Sequence, residues 1–367
     1  MSLIKSCQTQ KFEELLVRKG NAEMRIKLGL RSTKVLQILV GVLMRCWVFA
    51  GLTILACILV YWTYGKLFAF LLLCLAIIGI FYHIEDNLLF HPDMPAHSRI
   101  FVPVPSMFGM PYESVNIRSS DGTLIHLFFI RQPGPLAIRV PTVLFLHGNA
   151  GNMGHRLQNV LGMYQNLQCN VLMLEYRGYG LSQGNPTEAG LCMDAKIALD
   201  YLASRSDINH KEIIVFGRSL GGAVGIDLAS QLEYAQKIWC LILENTFTSI
   251  PEMAKVLIGW RLLHYLPLFV YKNKFLSLNK IGRVTVPTLF VSGLADNLVP
   301  PRMMSELHQK CGSSNKQLLQ FEVGTHNETW TSPGYYHSLA TFLRDARVRR
   351  GIDPPSSPPL PFSVESV

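Results

Sequence analysis

Five residues, Gly217-Arg218-Ser219-Leu220-Gly221, follow the apolar run Ile213–Phe216 and lead straight into the helix-like stretch Gly222–Leu232. A serine flanked by glycines at this spacing, between a buried strand and a helix, must occupy a tight, strained turn. That turn lifts its hydroxyl above the strand's carboxyl end. Gly217 and Gly221 leave room for the close passage of strand and helix, and Gly222 extends that room. The helix starting beneath the turn offers free N–H groups and a dipole suited to developing negative charge. The run lacks the Lys-Ser/Thr ending of a phosphate-binding loop, which sets a nucleotide cradle aside.

The surrounding chain alternates in the same way. Ser114–Ile117 and Leu124–Arg131 flank the turn Ser120-Asp121-Gly122 as a hairpin. Thr142–Leu146, Val171–Glu175, Ile213–Phe216, Leu241–Leu243, Thr288–Val291 and Leu318–Phe321 follow, short and mostly apolar, with helix-length segments between them. Buried parallel strands with crossover helices read this way. The expected fold is α/β, a mostly parallel eight-stranded sheet with helices on both faces. Ala189–Ala203 is the clearest helix, with Leu191, Ala195, Ala198, Leu199 and Leu202 at helical spacing. The segment 250–281 interrupts the alternation: Pro251 and Pro267 bracket an unusually apolar run. It reads either as a small lid or membrane-facing surface, or as a kinked crossover helix.

A serine hydroxyl is a poor nucleophile without a base. Asp296, in Ser292-Gly293-Leu294-Ala295-Asp296, follows the strand Thr288–Val291. His326, in Gly324-Thr325-His326-Asn327, follows Leu318–Phe321. Each lies just past a strand's carboxyl end, where open α/β sheets carry their sites. The order Ser219, Asp296, His326 is that of a nucleophile, an orienting acid and a general base on such a sheet. His147, His337 and Asp207 are weaker candidates by position. An oxyanion hole needs two backbone amides. Leu220 supplies one as the residue after the nucleophile; the loop His147-Gly148-Asn149-Ala150-Gly151-Asn152 supplies the other, at Asn149.

Hydrophobic residues make up 49% of the chain and charged ones 16%, and the apolar excess lies mostly before residue 90. Cys46–Gly65 and Leu67–Tyr82 are uncharged runs separated by Lys66 and rimmed with aromatics. The formal charge of +9 comes largely from basic residues before those runs, a topology signal with no nucleic-acid-binding motif beside it. Two arrangements are open. In one, a single span from about Tyr61 to His83 gives a type II protein, its catalytic domain on the far side from the basic N-terminus. In the other, both runs cross as a hairpin and the domain is cytosolic. The expected organisation is a basic segment (1–45), a membrane anchor region (46–84), a proline-rich connector (85–111), the catalytic domain (112–348) and a disordered tail (349–367). The eight cysteines show no CxxC spacing; neither a metal site nor a cofactor is expected. Asn327-Glu328-Thr329 is a glycosylation sequon.

Together the runs 147–152, Glu175-Tyr176-Arg177-Gly178-Tyr179-Gly180, 217–222, 292–296 and 324–327 resemble the serine hydrolases of the α/β-hydrolase superfamily, over about Arg45 to Arg344. The resemblance implies a single-span type II membrane hydrolase with a Ser-Asp-His triad, and kinship with protein depalmitoylases. The expected activity is cleavage of acyl ester or thioester bonds in lipids or lipidated proteins, at a membrane. The alternatives are a catalytically silent binding or scaffold protein on the same fold, and a membrane serine peptidase.

Overall fold

The computed structural model describes residue 47 and residues 49–259 and 265–351. The basic segment 1–45, the tail from residue 352 and part of the apolar run in 250–281 lie outside those residues. The chain divides into two compact units, Met1–Ile84 and Glu85–Val367.

In the first unit α1 (Phe49–Tyr64) ends at Gly65, whose φ of +90° no other residue type adopts readily. A new helix, α2 (Lys66–Leu89), begins there. Among the described residues it is the one helix long and apolar enough to cross a membrane. Its 24 residues extend about 36 Å at 1.5 Å each. The helix does not coincide with the run Tyr61–His83 expected to span. Gly65 breaks the helix four residues inside it, and the carboxyl end continues past His83. In that last stretch Glu85 and Asp86 find partners: the Glu85 carboxylate accepts the backbone N–H groups of Lys272 and Asn273, each at 2.7 Å, and Asp86 pairs with the Lys272 ammonium.

The second unit carries β1 (Tyr112–Arg118), β2 (Leu124–Ile130), β3 (Thr142–Leu146), α3 (Leu157–Asn166), β4 (Asn170–Leu174) and α4 (Glu188–Ser204). These are followed by β5 (Ile213–Arg218), α5 (Leu220–Ala229), α6 (Leu232–Ala235), β6 (Cys240–Glu244) and α7 (Ile250–Ile258). Then come α8 (Ser277–Lys280), β7 (Thr288–Gly293), α9 (Pro301–Lys310), β8 (Lys316–Phe321) and α10 (Tyr335–Arg349). One eight-stranded sheet has the order β1-β2-β4-β3-β5-β6-β7-β8. β1 and β2 pair antiparallel, β2 joins β4 antiparallel, and the rest are parallel.

Side chains alternate across this sheet as the two-residue period requires. Leu144, Leu146, Leu172, Leu174 and Val215 pack on one face with α4, α5 and Met303, Met304 and Leu307 of α9. Val143, Phe145, Val171, Met173 and Phe216 pack on the other with α3 and Leu339, Phe342 and Ala346 of α10. Helices thus cover both faces, which is why the central strands read as unbroken apolar runs rather than alternating ones. Thr187 caps α4 by accepting the Gly190 N–H at 3.1 Å, closing the clearest helix of the sequence at its start.

The connector is not a free linker. Val102 and Met110 are buried, Pro105–Phe108 form a 3-10 turn, and His91 pairs as a parallel bridge with Ala150. Proline restricts the backbone but does not stop side chains and carbonyls from finding partners.

Candidate active site

Ser219 sits between β5 and α5 with φ +54° and ψ −116°, a conformation that costs a non-glycine residue on the order of 1–3 kcal/mol. Its surroundings impose it. The Ser219 N–H donates to the Glu244 carbonyl at 2.9 Å, and its own carbonyl accepts from Gly222 N–H at 2.9 Å and Thr246 hydroxyl at 2.7 Å. The glycines of the turn are dictated by contact distances. A Cβ on Gly221 would stand 2.1 Å from the Leu146 carbonyl oxygen, and one on Gly217 would stand 2.3 Å from the Gly221 oxygen.

β7 delivers Asp296 and β8 delivers His326. The two loops interlock: Ala295 N–H donates to the Gly324 carbonyl at 3.0 Å, and a Cβ on Gly293 would meet the Gly324 oxygen at 2.3 Å. The Asp296 carboxylate is buried. Its Oδ1 accepts from the N–H groups of Leu298 (2.8 Å) and Val299 (2.9 Å). Its Oδ2 lies 2.7 Å from His326 Nδ1, and His326 Nε2 lies 3.1 Å from Ser219 Oγ. Three residues separated by 30 and 107 positions thus form one unbroken line. With the ring proton on Nδ1 donated to Asp296, Nε2 is free to accept the Ser219 hydroxyl proton.

The candidate oxyanion donors are adjacent. Leu220 is the first residue of α5, where backbone N–H groups lack intrahelical partners. Gly148 faces Ser219 so closely that a Cβ there would be 3.7 Å from the serine Cβ. Among the described residues the Asn149 backbone N–H has no partner.

The weaker sequence candidates take no part in this line. His147 is fully buried, with Nε2 3.2 Å from the Glu175 carboxylate, which in turn accepts the Met153 N–H. Asp207 pairs with Arg205 at 2.7 Å and Arg131 at 2.9 Å. His337 is exposed on α10. Among the described residues no group of three or more His, Cys, Asp or Glu side chains is placed to hold a metal.

One residue of the site was missed in the sequence. Asn245, one position past β6, has φ +46°, in the left-handed region that Asn tolerates better than most side chains. Its Oδ1 accepts the Gly293 N–H at 2.8 Å. Its Nδ2 donates to the carbonyls of Thr325 and His326, both at 3.1 Å. It therefore clamps the loop of the histidine to the strand of the aspartate. The available signal was the polar pair Glu244-Asn245 closing an apolar strand.

Residues 139–278 match the hydrolase family described as serine aminopeptidase, S33. Over 273 residues the chain is 41% identical to the alpha/beta hydrolase domain-containing protein WAV2 of Arabidopsis thaliana, covering 71% of this chain and 87% of that protein. The chain belongs to the α/β-hydrolase family. It is also 32% identical over 286 residues to the Saccharomyces cerevisiae membrane protein YNL320W, covering 77% of this chain and 97% of that one. The solved Pyrococcus furiosus esterase Pf2001 shares the fold at a TM-score of 0.53 and 20% identity, over 68% of this chain and 95% of the esterase. In this α/β-hydrolase the candidate residues stand at the carboxyl ends of β5, β7 and β8, the sheet edge where the fold carries its chemistry.

Proposed function

We propose that this α/β-hydrolase is a membrane-bound serine hydrolase that cleaves acyl ester or thioester bonds. Ser219 is the nucleophile, His326 the general base and Asp296 the residue that orients it; the Leu220 and Asn149 amides form the oxyanion hole. The continuous relay from Asp296 through His326 to Ser219 carries the reading. Ser219 Oγ attacks the acyl carbonyl carbon while its proton passes to His326 Nε2. The carbonyl electron pair moves onto oxygen, held by the two amides. As the tetrahedral intermediate collapses, the C–O or C–S bond breaks and His326 protonates the departing alcohol or thiol. Water, deprotonated by His326, then releases the acid and restores Ser219.

An alkyl fluorophosphonate is expected to label the full-length protein and to leave Ser219→Ala unlabelled; equal labelling of the two would overturn the reading. A scaffold that has lost its chemistry fails the same test.

The apolar helix α2 supports a lipid or lipidated-protein substrate, palmitoyl thioesters of proteins included. So do the exposed Val256, Leu257, Ile258, Tyr265, Leu268 and Phe269 between β6 and β7. A lid or membrane-facing surface in 250–281 fits the same side chains. The family description gives weight to a second reading, a peptidase at the same site; faster turnover of aminoacyl p-nitroanilides than of acyl thioesters would carry it.

The type II topology, favoured over the hairpin because among the described residues α2 is long enough to span and α1 is shorter, has its own check. The Asn327 side chain is exposed, while the Thr329 hydroxyl is turned inward to the Thr325 carbonyl at 2.7 Å. A C-terminal tag is expected to be protease-protected in sealed microsomes, with Asn327→Gln migrating faster than wild type before but not after endoglycosidase treatment. A digested tag would select the hairpin.

A further inference from the structure

The side chain of Asn149 is bonded in a way that its backbone role does not require. Its Nδ2 donates to the carbonyl of Leu89, the last residue of α2, at 2.7 Å. Its Oδ1 accepts the Tyr179 hydroxyl at 2.8 Å and the His91 N–H at 3.3 Å. All three partners are remote in sequence, and two belong to the connector. Beside this point the connector runs along the loop: Gly151 N–H donates to the His91 carbonyl at 3.4 Å. Asn152 Nδ2 donates to the carbonyls of Ser98 (2.8 Å) and Phe101 (2.9 Å). At Gly154 the two segments touch so closely that a Cβ would meet the Pro103 oxygen at 2.5 Å.

The loop needs such support. Gly148 and Gly151 give it conformational freedom, and Gly151 uses it, at φ +81°. A backbone N–H stabilises a developing oxyanion only when it is already aimed at the right place; a misplacement of about 1 Å can cost on the order of a hundredfold in rate. Tyr179 is suited to the task. Its ring is buried against His147, with centroids 5.3 Å apart, and burial pushes its phenol well above the usual tyrosine range. The hydroxyl therefore remains a donor throughout the neutral range.

We propose that Asn149 and Tyr179 are positioning residues of the oxyanion hole, and that the connector from Leu89 to His91 is part of the active site. The Asn149 side chain, pinned between Tyr179 and the connector backbone, holds the Asn149 amide in line with the carbonyl oxygen of the acyl group. This rests on the serine-hydrolase reading above.

Asn149→Ala is the informative change because it keeps the backbone N–H and removes only the pins. The full-length protein in detergent micelles is assayed with p-nitrophenyl butyrate, and the rate constant of fluorophosphonate labelling is measured in parallel. Final labelling stoichiometry corrects each variant for its folded fraction. Asn149→Ala is expected to lower kcat and the labelling rate constant by about 30- to 100-fold, up to the lower limit of the roughly hundred- to thousandfold loss for removing one oxyanion donor outright, with KM changed less than about twofold. Tyr179→Phe, which leaves the ring in place, should lower both about five- to tenfold. Tyr176→Phe serves as a control: its hydroxyl is equally buried but has no partner among the described residues, so its kcat should equal wild type. A merely structural role would reduce labelling stoichiometry and melting temperature while leaving kcat per labelled site intact. Wild-type kcat in both Asn149→Ala and Tyr179→Phe, with Ser219→Ala inactive, would overturn the proposal and spare the hydrolase reading. A wild type that reacts no faster than Ser219→Ala would remove both.

Discussion

Asp296→Asn is expected to lower kcat by about 10⁴-fold at neutral pH while leaving the fold and KM nearly unchanged. The size of the effect follows from the way Asp296 is held. One carboxylate oxygen accepts two backbone N–H groups, from Leu298 and Val299, and the other faces His326 Nδ1. An asparagine has only one acceptor oxygen. The two fixed N–H donors claim it, because turning the amide round would bring its own N–H groups against them. The NH2 group is thereby directed at His326 Nδ1 and donates to it. That bond requires Nδ1 to be unprotonated, so the ring proton moves to Nε2, the atom facing Ser219 Oγ. A nitrogen that already carries a proton cannot accept the serine's. Steady-state kinetics with p-nitrophenyl butyrate measure the loss, and the melting temperature should remain within about 2 °C of wild type, since the loop bonds persist. A fall of less than about tenfold would mean that His326 does not depend on Asp296 for its tautomer.

The parts of this molecule that could be read in the sequence are those with a local signature. Buried parallel strands are apolar on both faces, so Thr142–Leu146 and Ile213–Phe216 declare themselves as short unbroken runs. The elbow is written in five contiguous residues because a strained turn between a strand and a helix tolerates few side chains. Asp296 and His326 could be found by chain order alone once the strands were placed, since the fold delivers each at a strand's carboxyl end. The helix break at Gly65 was harder: two tandem apolar runs allow several frames, and one positive-φ glycine selects among them. What stayed hidden is the non-local hydrogen bonding. Asn149 meets Leu89 and Tyr179 only after the sheet has formed, and nothing in residues 89–91 advertises a free carbonyl as a partner. Prolines 92, 95, 103, 105 and 111 mark an extended connector in the sequence but give no sign that it packs against the loop 147–152. Asn245 belongs to the same class, a lone polar residue whose value lies in three bonds made to chain eighty residues away.

The second large effect concerns a charge that the sequence places beside Ser219, the proposed nucleophile, without explaining it. Arg218 is the last residue of β5, in register with Glu244 of β6, and both side chains are buried. The Arg218 guanidinium donates to Glu244 Oε1, to Asn159 Oδ1 of α3 at 3.2 Å and to the Asn327 carbonyl at 3.4 Å. Glu244 Oε2 accepts the Tyr335 hydroxyl of α10, whose phenol burial and the neighbouring carboxylate push well above the ordinary range, so it stays a donor. One ion pair therefore joins β5, β6, α3, α10 and the chain that follows His326. Glu244→Ala strands the guanidinium in the interior and removes the partner of Tyr335. It should destabilise the domain by about 3–5 kcal/mol. For a domain of this size that is roughly a 10 °C fall in melting temperature. Arg218→Met combined with Glu244→Leu removes the charge along with its partner and should cost clearly less than Glu244→Ala alone, because desolvating an ion pair offsets much of its attraction. The two outcomes separate stability from alignment. If the pair served the fold alone, the double variant would recover both melting temperature and turnover. Because Arg218 also holds the carbonyl next to His326, the double variant is expected to regain most of its melting temperature and still turn over p-nitrophenyl butyrate about tenfold more slowly, the histidine being free to drift from Ser219. Full recovery of turnover would show that Asn245 and Asp296 hold the histidine without help from Arg218.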